Sequence, residues 1–154
     1  MIIKINPREI PLIKNANKLC CKPYPNHSRG CPNYNKKKEC PPNLCKLEDL
    51  FDFNQDMFVI YSEFDLGKHA QKMKKMHPDW TDRQIYCCLY WQPKARKFHR
   101  EELENYKGNK ISYISNSPEA YGVNVTSLMR KLGVELEWPP RRITRIVSLG
   151  GIKK

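Results

Sequence analysis

Between Leu19 and Cys45, five cysteines are interleaved with five prolines, Gly30 and several asparagines. Proline removes a backbone donor and fixes φ, so no run remains here in which a helix or central strand keeps its hydrogen bonds. A loop beyond about 12 to 15 residues inside a compact domain is usually functional or unordered. The thiols supply the alternative to a core: a metal held by cysteines would order the segment. The rest of the 154-residue chain is long enough to bury a core without disulfide staples. The expectation is one domain over residues 1–154, with 19–46 as a cysteine-rich metal-binding loop.

Seven cysteines would suit disulfides in a secreted protein. The opening MIIKINPREIPLIKN, however, has neither the apolar run nor the cleavage site of a signal peptide. No stretch approaches the ~18 consecutive apolar residues of a membrane span. A soluble, cytoplasmic protein is expected, in which thiols serve metal or redox chemistry. The formal net charge of +12 suits a polyanionic partner such as RNA and equally suits a lysine-rich solvated surface.

Around the loop the patterning alternates between strand and helix. MIIKI reads as a short edge strand, and Met57–Phe64, rich in β-branched and aromatic residues, as a buried one. Asp65 is placed to cap a helix with Leu66, Ala70 and Met73 inward and Lys68, Lys72 and Lys75 outward, ending before Pro78. Thr81-Asp-Arg-Gln has the form of a helix start, opening a helical stretch to Tyr106 that Pro93 should kink or divide and Gly108 should end. Lys110–Ser115 alternates like a strand. Ser117-Pro-Glu opens a helical segment, broken near Gly122, that stops at Gly133 with Leu128, Met129 and Leu132 inward. Val134–Trp138 and Arg145–Leu149 complete the strand candidates. The expected fold is α/β: a small mixed sheet of about four strands with flanking helices and the cysteine loop near one end. No Walker A or dinucleotide-binding glycine pattern is present.

Counted from Cys21, the loop spacing is C-x9-C-x8-C-x4-C. Structural zinc prefers paired C-x(2 to 4)-C knuckles, and only Cys40 with Cys45 approaches that. Iron–sulfur clusters accept open spacing and place proline after a ligating cysteine, as at Cys31-Pro32 and Cys40-Pro41. Loop amides and asparagines can bond thiolate sulfur, and nearby Lys and Arg favour the thiolate. The plain alternative is a set of free, partly buried cysteines.

The string Gly30-Cys-Pro-Asn-Tyr-Asn-Lys-Lys-Lys-Glu-Cys40-Pro-Pro resembles the GCPNYGK…CPP signature of a family of uncharacterised "predicted metal-binding" proteins. Ser117-Pro-Glu-Ala-Tyr-Gly-Val-Asn-Val125, with Leu132-Gly133-Val134, is similar to that family's SMEA-GIDV segment. The resemblance implies ligation of one iron–sulfur cluster through Cys31 and Cys40, with Cys21 as third ligand. Tyr121 stands where that family often has cysteine. A fourth ligand would come from Cys20, Cys45, Cys87, Cys88 or His27, or else be missing, which would leave one iron open; Cys88 is favoured because the residues after it suit the wall of a site. Core packing is the competing role for Cys87 and Cys88.

Tyr24 and Tyr34 beside Arg29 and Lys36, Lys37 and Lys38 form an aromatic and basic interleaving suited to single-stranded RNA, and Trp80 and Trp91 flank the cysteine pair. Core packing and a solvated lysine run are the plain readings of the same residues. His69, His77 and His99 form no spaced metal motif, and Glu101, Glu102 and Glu104 read as surface charge. The functional expectation is an iron–sulfur protein, 4Fe-4S first. An open iron would act on a nucleic-acid or sulfur-containing substrate by desulfuration or sulfur transfer. A zinc-ordered, non-catalytic RNA-binding module and a small electron carrier are the alternatives.

Overall fold

The computed structural model describes residues 1–23, 28–38, 40–108 and 110–154. The sheet has four strands in the order β1-β2-β4-β3: β1 (Ile2–Ile5), β2 (Met57–Asp65), β3 (Tyr113–Ser115) and β4 (Ile143–Gly151). All three pairings are antiparallel rather than mixed, with Ile2 opposite Ile60, Tyr61 opposite Val147 and Ile114 opposite Gly150. The long central pair, β2 with β4, forms from the two runs richest in β-branched and aromatic residues. β1 is an edge strand, and Pro7 and Pro11 follow it in the chain.

The helices are α1 (Leu47–Leu50), α2 (Leu66–Met76), α3 (Asp82–Ile85), α4 (Cys88–Glu104) and α5 (Val125–Lys131). α2 starts where Asp65 accepts a hydrogen bond from the Lys68 amide, and Lys74 and Lys75 sit in its last turn, where cations complement the helix dipole. α5 ends before Gly133, whose φ of 74° makes it the left-handed stop. No helix among the described residues is long and apolar enough to cross a membrane.

Strand periodicity divides the sheet into two faces. Met57, Val59, Tyr61, Val147 and Leu149 face one way and pack with Leu47, Phe51, Val123, Leu128 and Met129. Phe64 and Ile146 face the other way, against Leu66, Trp91 and Ala95, while Ile60 meets Leu103 and Ile111. Burying each of these large side chains contributes about 1.5–3 kcal/mol. The segment leading into the cysteine loop is tied to the α5 end of the molecule: Ile13 N–H donates to Gly122 O at 2.8 Å, Asn124 N–H donates to Pro11 O at 2.8 Å, and Leu12 bridges Val123.

Several sequence expectations are corrected. The stretch from Thr81 divides at Tyr86–Cys87, between α3 and α4, and Pro93 lies inside α4. The Tyr86 carbonyl at that break accepts the Trp91 indole N–H at 3.2 Å. Pro93 removes only the bond to the Leu89 carbonyl, one turn earlier on a residue 76% exposed, so water can serve that group. α4 ends at Glu104, and Gly108 instead pairs with Ile111 in a turn. β3 takes only the last three residues of Lys110–Ser115. Val134–Trp138 is not a strand: Val134 and Leu136 pack on the core, while the Glu135 carbonyl accepts from the Arg145 guanidinium at 2.9 Å.

Candidate functional site

The site expected from the sequence is the cysteine loop, and its backbone explains how separated thiols meet. A 3₁₀ helix, Ala16–Cys21, carries Cys20 and Cys21 in its last turn. Gly30 turns the chain with φ 79° directly against that helix end. A Cβ at Gly30 would stand 2.4 Å from Cys20 O and 2.9 Å from the Cys21 carbonyl carbon, so only glycine allows this approach. The adjacent Cys31 N–H donates to Cys20 O at 2.7 Å. A turn follows in which Tyr34 N–H donates to Cys31 O, and Asn35 N–H, at φ 56°, reaches Pro41 O at 2.8 Å. That last bond draws Cys40 to the same place.

Cys21, Cys31 and Cys40 thereby come within electrostatic reach of Cys20. Burial pushes the Cys20 thiol up, and the Cys31, Cys21 and Cys40 thiols push it further. The Tyr34 phenol is pushed up chiefly by its hydrogen bond to the Cys21 side chain. An open basin of about 500 Å³ lies beside these thiols, lined by Cys20, Cys21, Arg29, Cys31, Tyr34 and Lys36 among others. Lys36, Lys37 and Lys38 are exposed, as is Arg29.

The donor set is soft, four sulfurs with a phenol donor, and matches what iron–sulfur clusters and thiolate zinc take. As the thiols stand, no group of three or more His, Cys, Asp or Glu among the described residues is placed to hold a metal ion. Ligation would require the side chains to close further, which metal binding commonly drives because site assembly and ordering are coupled.

The remaining cysteines lie elsewhere. Cys88 is exposed at the start of α4, which packs on the opposite sheet face from Phe51 and Met129, and it is not among the thiols that act on Cys20. Cys45 is exposed and lines a separate cavity of about 310 Å³ with Ala16, Pro42 and Tyr121. Tyr121, on the 3₁₀ helix Pro118–Tyr121, which packs on Ala16–Cys21, brings the second stretch of the sequence resemblance beside the first. His27 and Tyr24 lie outside the described residues.

A buried polar chain escaped the sequence reading. His99, 2% exposed, lies with Nδ1 2.6 Å from Ser62 Oγ and Nε2 2.8 Å from Ser148 Oγ. Ser62 Oγ donates to Glu102, and Ser148 Oγ lies 3.0 Å from Asn116 Oδ1. With the Ser62 proton on Glu102, Nδ1–H of the imidazole donates to Ser62 Oγ. Burial lowers His99 to about 4, against a smaller upward pull from Glu102, so the ring is neutral near pH 7. Ser62 and Ser148 are 3% and 0% exposed, which keeps both hydroxyls from any substrate. The chain therefore fastens α4 to β2 and β4 and is no nucleophile–base pair. His99 is a core residue held between two serines, and Glu102, read from the sequence as surface charge, accepts from Ser62.

Comparison with protein-family models, curated proteins and solved structures finds no match for this chain.

Proposed function

We propose that the loop holds a thiolate-bound metal centre on Cys20, Cys21, Cys31 and Cys40, with an iron–sulfur cluster ahead of zinc. The observation that carries this reading is the convergence of four thiols from three separate chain segments, closed by the Gly30 approach and the Asn35–Pro41 bond. Five cysteines in one proline-broken loop have no comparable role as core residues, since Cys21 and Cys45 are exposed and Cys20, Cys31 and Cys40 only half-buried. The fourth ligand in this reading is Cys20 rather than Cys88.

A complete set of four sulfurs is what an electron carrier or a structural centre uses. A second reading draws on the basin beside Cys21 and Cys31. With three thiols ligating, Arg29 and Lys36 would steer an anionic, nucleic-acid or sulfur-containing substrate to the centre, and Tyr34 would hold the Cys21 sulfur by its hydroxyl. A bound cluster with an open iron would supply Lewis acidity there, suited to desulfuration or sulfur transfer.

The test is iron, zinc and acid-labile sulfide content, with a visible spectrum, on protein purified without oxygen. Iron and sulfide in comparable amounts with absorption near ~400 nm are expected of thiolate-bound clusters. Zinc without sulfide would make the loop a metal-ordered binding module. Absence of any metal after anaerobic reconstitution would overturn the proposal.

A further inference from the structure

α2 and α4 meet over Leu66, Trp91 and Ala95, and the face they turn to solvent has two chemically different ends. At one end are rings. His77 and Trp80 stack at 4.0 Å with 10° between their planes, and Trp80 lies 5.0 Å from Tyr90. Tyr90 is 50% exposed, Leu89, its neighbour in the chain, is 76% exposed, and Met76, next to His77 in the chain, is 58% exposed. A large apolar ring left half in water beside other apolar residues marks an interaction surface more often than an isolated exposed residue does.

At the other end are amines. Lys72 and Lys94 both lie close enough to His69 to bias its protonation, and the buried His69 Nε2 has no hydrogen-bond partner among the described residues. Tyr90 and Lys94 are one turn apart on α4, as are Lys72 and Met76 on α2, so rings and amines form one continuous face. From Leu66 to Arg100 there are nine Lys and Arg against two carboxylates, Asp79 before α3 and Asp82 at its start.

Exposed rings next to amines match the two parts of a nucleotide with its base unpaired: the base has a π-face to stack and the phosphate a charge to neutralise. A duplex keeps its bases stacked inside and cannot use the rings. An acidic polypeptide would use the amines alone. We propose that the α2–α4 face binds single-stranded nucleic acid, with a base stacked on Tyr90 and Trp80 and the flanking phosphates on Lys72 and Lys94. This surface is separate from the thiol loop and does not depend on the metal reading.

The experiment is a fluorescence-anisotropy titration of a labelled single-stranded oligouridylate with the full chain, at low and at raised salt. Tyr90→Ala should weaken binding about tenfold or more, while Tyr90→Phe, which keeps the ring, should bind like wild type. Replacing Lys72 and Lys94 together by alanine should flatten the dependence of log K on log salt by about 1.4, two phosphate contacts at ~0.7 each. Circular dichroism of each variant separates lost binding from lost structure. No binding at low salt would overturn the proposal. So would unchanged affinity in folded Tyr90→Ala, a duplex or polyglutamate binding as tightly, or loss of binding only when Lys36, Lys37 and Lys38 become alanine.

Discussion

At Gly30 the backbone turns with φ 79°, and its α-carbon comes so close to the end of the Ala16–Cys21 helix that a methyl group would overlap Cys20 O. A left-handed conformation costs a non-glycine residue about 1–3 kcal/mol, and the overlap adds to that. Gly30→Ala should therefore open the loop and abolish metal uptake. The circular dichroism and urea midpoint of the metal-free protein should change little, because the sheet and its packing lie elsewhere. A Gly30→Ala protein that loads metal normally would show that the approach of Cys31 to Cys20 is dispensable. The loop itself was legible from its cysteines and prolines, and Cys20 stood among the candidates for a fourth ligand, but its backbone contact with Cys31 was not legible. Both cysteines lie in the last turn of a 3₁₀ helix whose end meets Gly30 and Cys31, a contact that sequence spacing does not encode. Cys88 drew attention through the residues that follow it, of which Tyr90 is half exposed and Trp91 is buried against Leu66 and Ala95.

At the scale of the element, α4 depends on one polar pin. Trp91, Ala95, His99 and Leu103 recur every four residues and are all buried, so His99 occupies a core position of an otherwise apolar stripe. That period was the available signal for its burial, but its partners Ser62 and Ser148 come from strands far away in sequence and carry no such mark. Replacing His99 by leucine leaves Ser62 and Ser148 short of a partner and should cost about 2–4 kcal/mol in urea unfolding. The pin also sets a pH dependence. The folded-state value of about 4 lies below the unfolded value of about 6.5, so the unfolded chain binds the proton first. Stability is then complete above about pH 6.5 and is lost as pH falls towards 4, by about 3 kcal/mol in all. Urea midpoints at about pH 7 and pH 4.5 measure the loss, and a His99→Gln protein should lack most of it. Pro93 was visible as a helix breaker, yet packing of the Trp91–Leu103 stripe on β2 and β4 outweighs its one missing bond. Pro93→Ala should accordingly stabilise the protein, by up to about 3 kcal/mol, with the same α-helical circular dichroism.

For the whole molecule, the two sheet faces separate two kinds of work. One face buries the core that carries the α5 end and, through the contacts of Leu12 and Ile13 with Gly122 and Val123, the segment that leads into the thiol loop; the other carries α2 and α4 with their exposed rings and amines. The four strands and the α/β class followed from runs of β-branched residues and from helix caps, because those signals are local. The pairing order followed from no local signal, since β2 and β4 are neighbours although eighty residues separate Phe64 from its partner Thr144 (144 − 64). The measurement that bears most directly on the thiol centre is iron and acid-labile sulfide per chain in single Cys→Ser variants of all seven cysteines, purified without oxygen. Loss in the Cys20, Cys21, Cys31 and Cys40 variants, with normal content in the Cys45, Cys87 and Cys88 variants, is the expected result. Normal content in Cys20→Ser with loss in Cys88→Ser would contradict it.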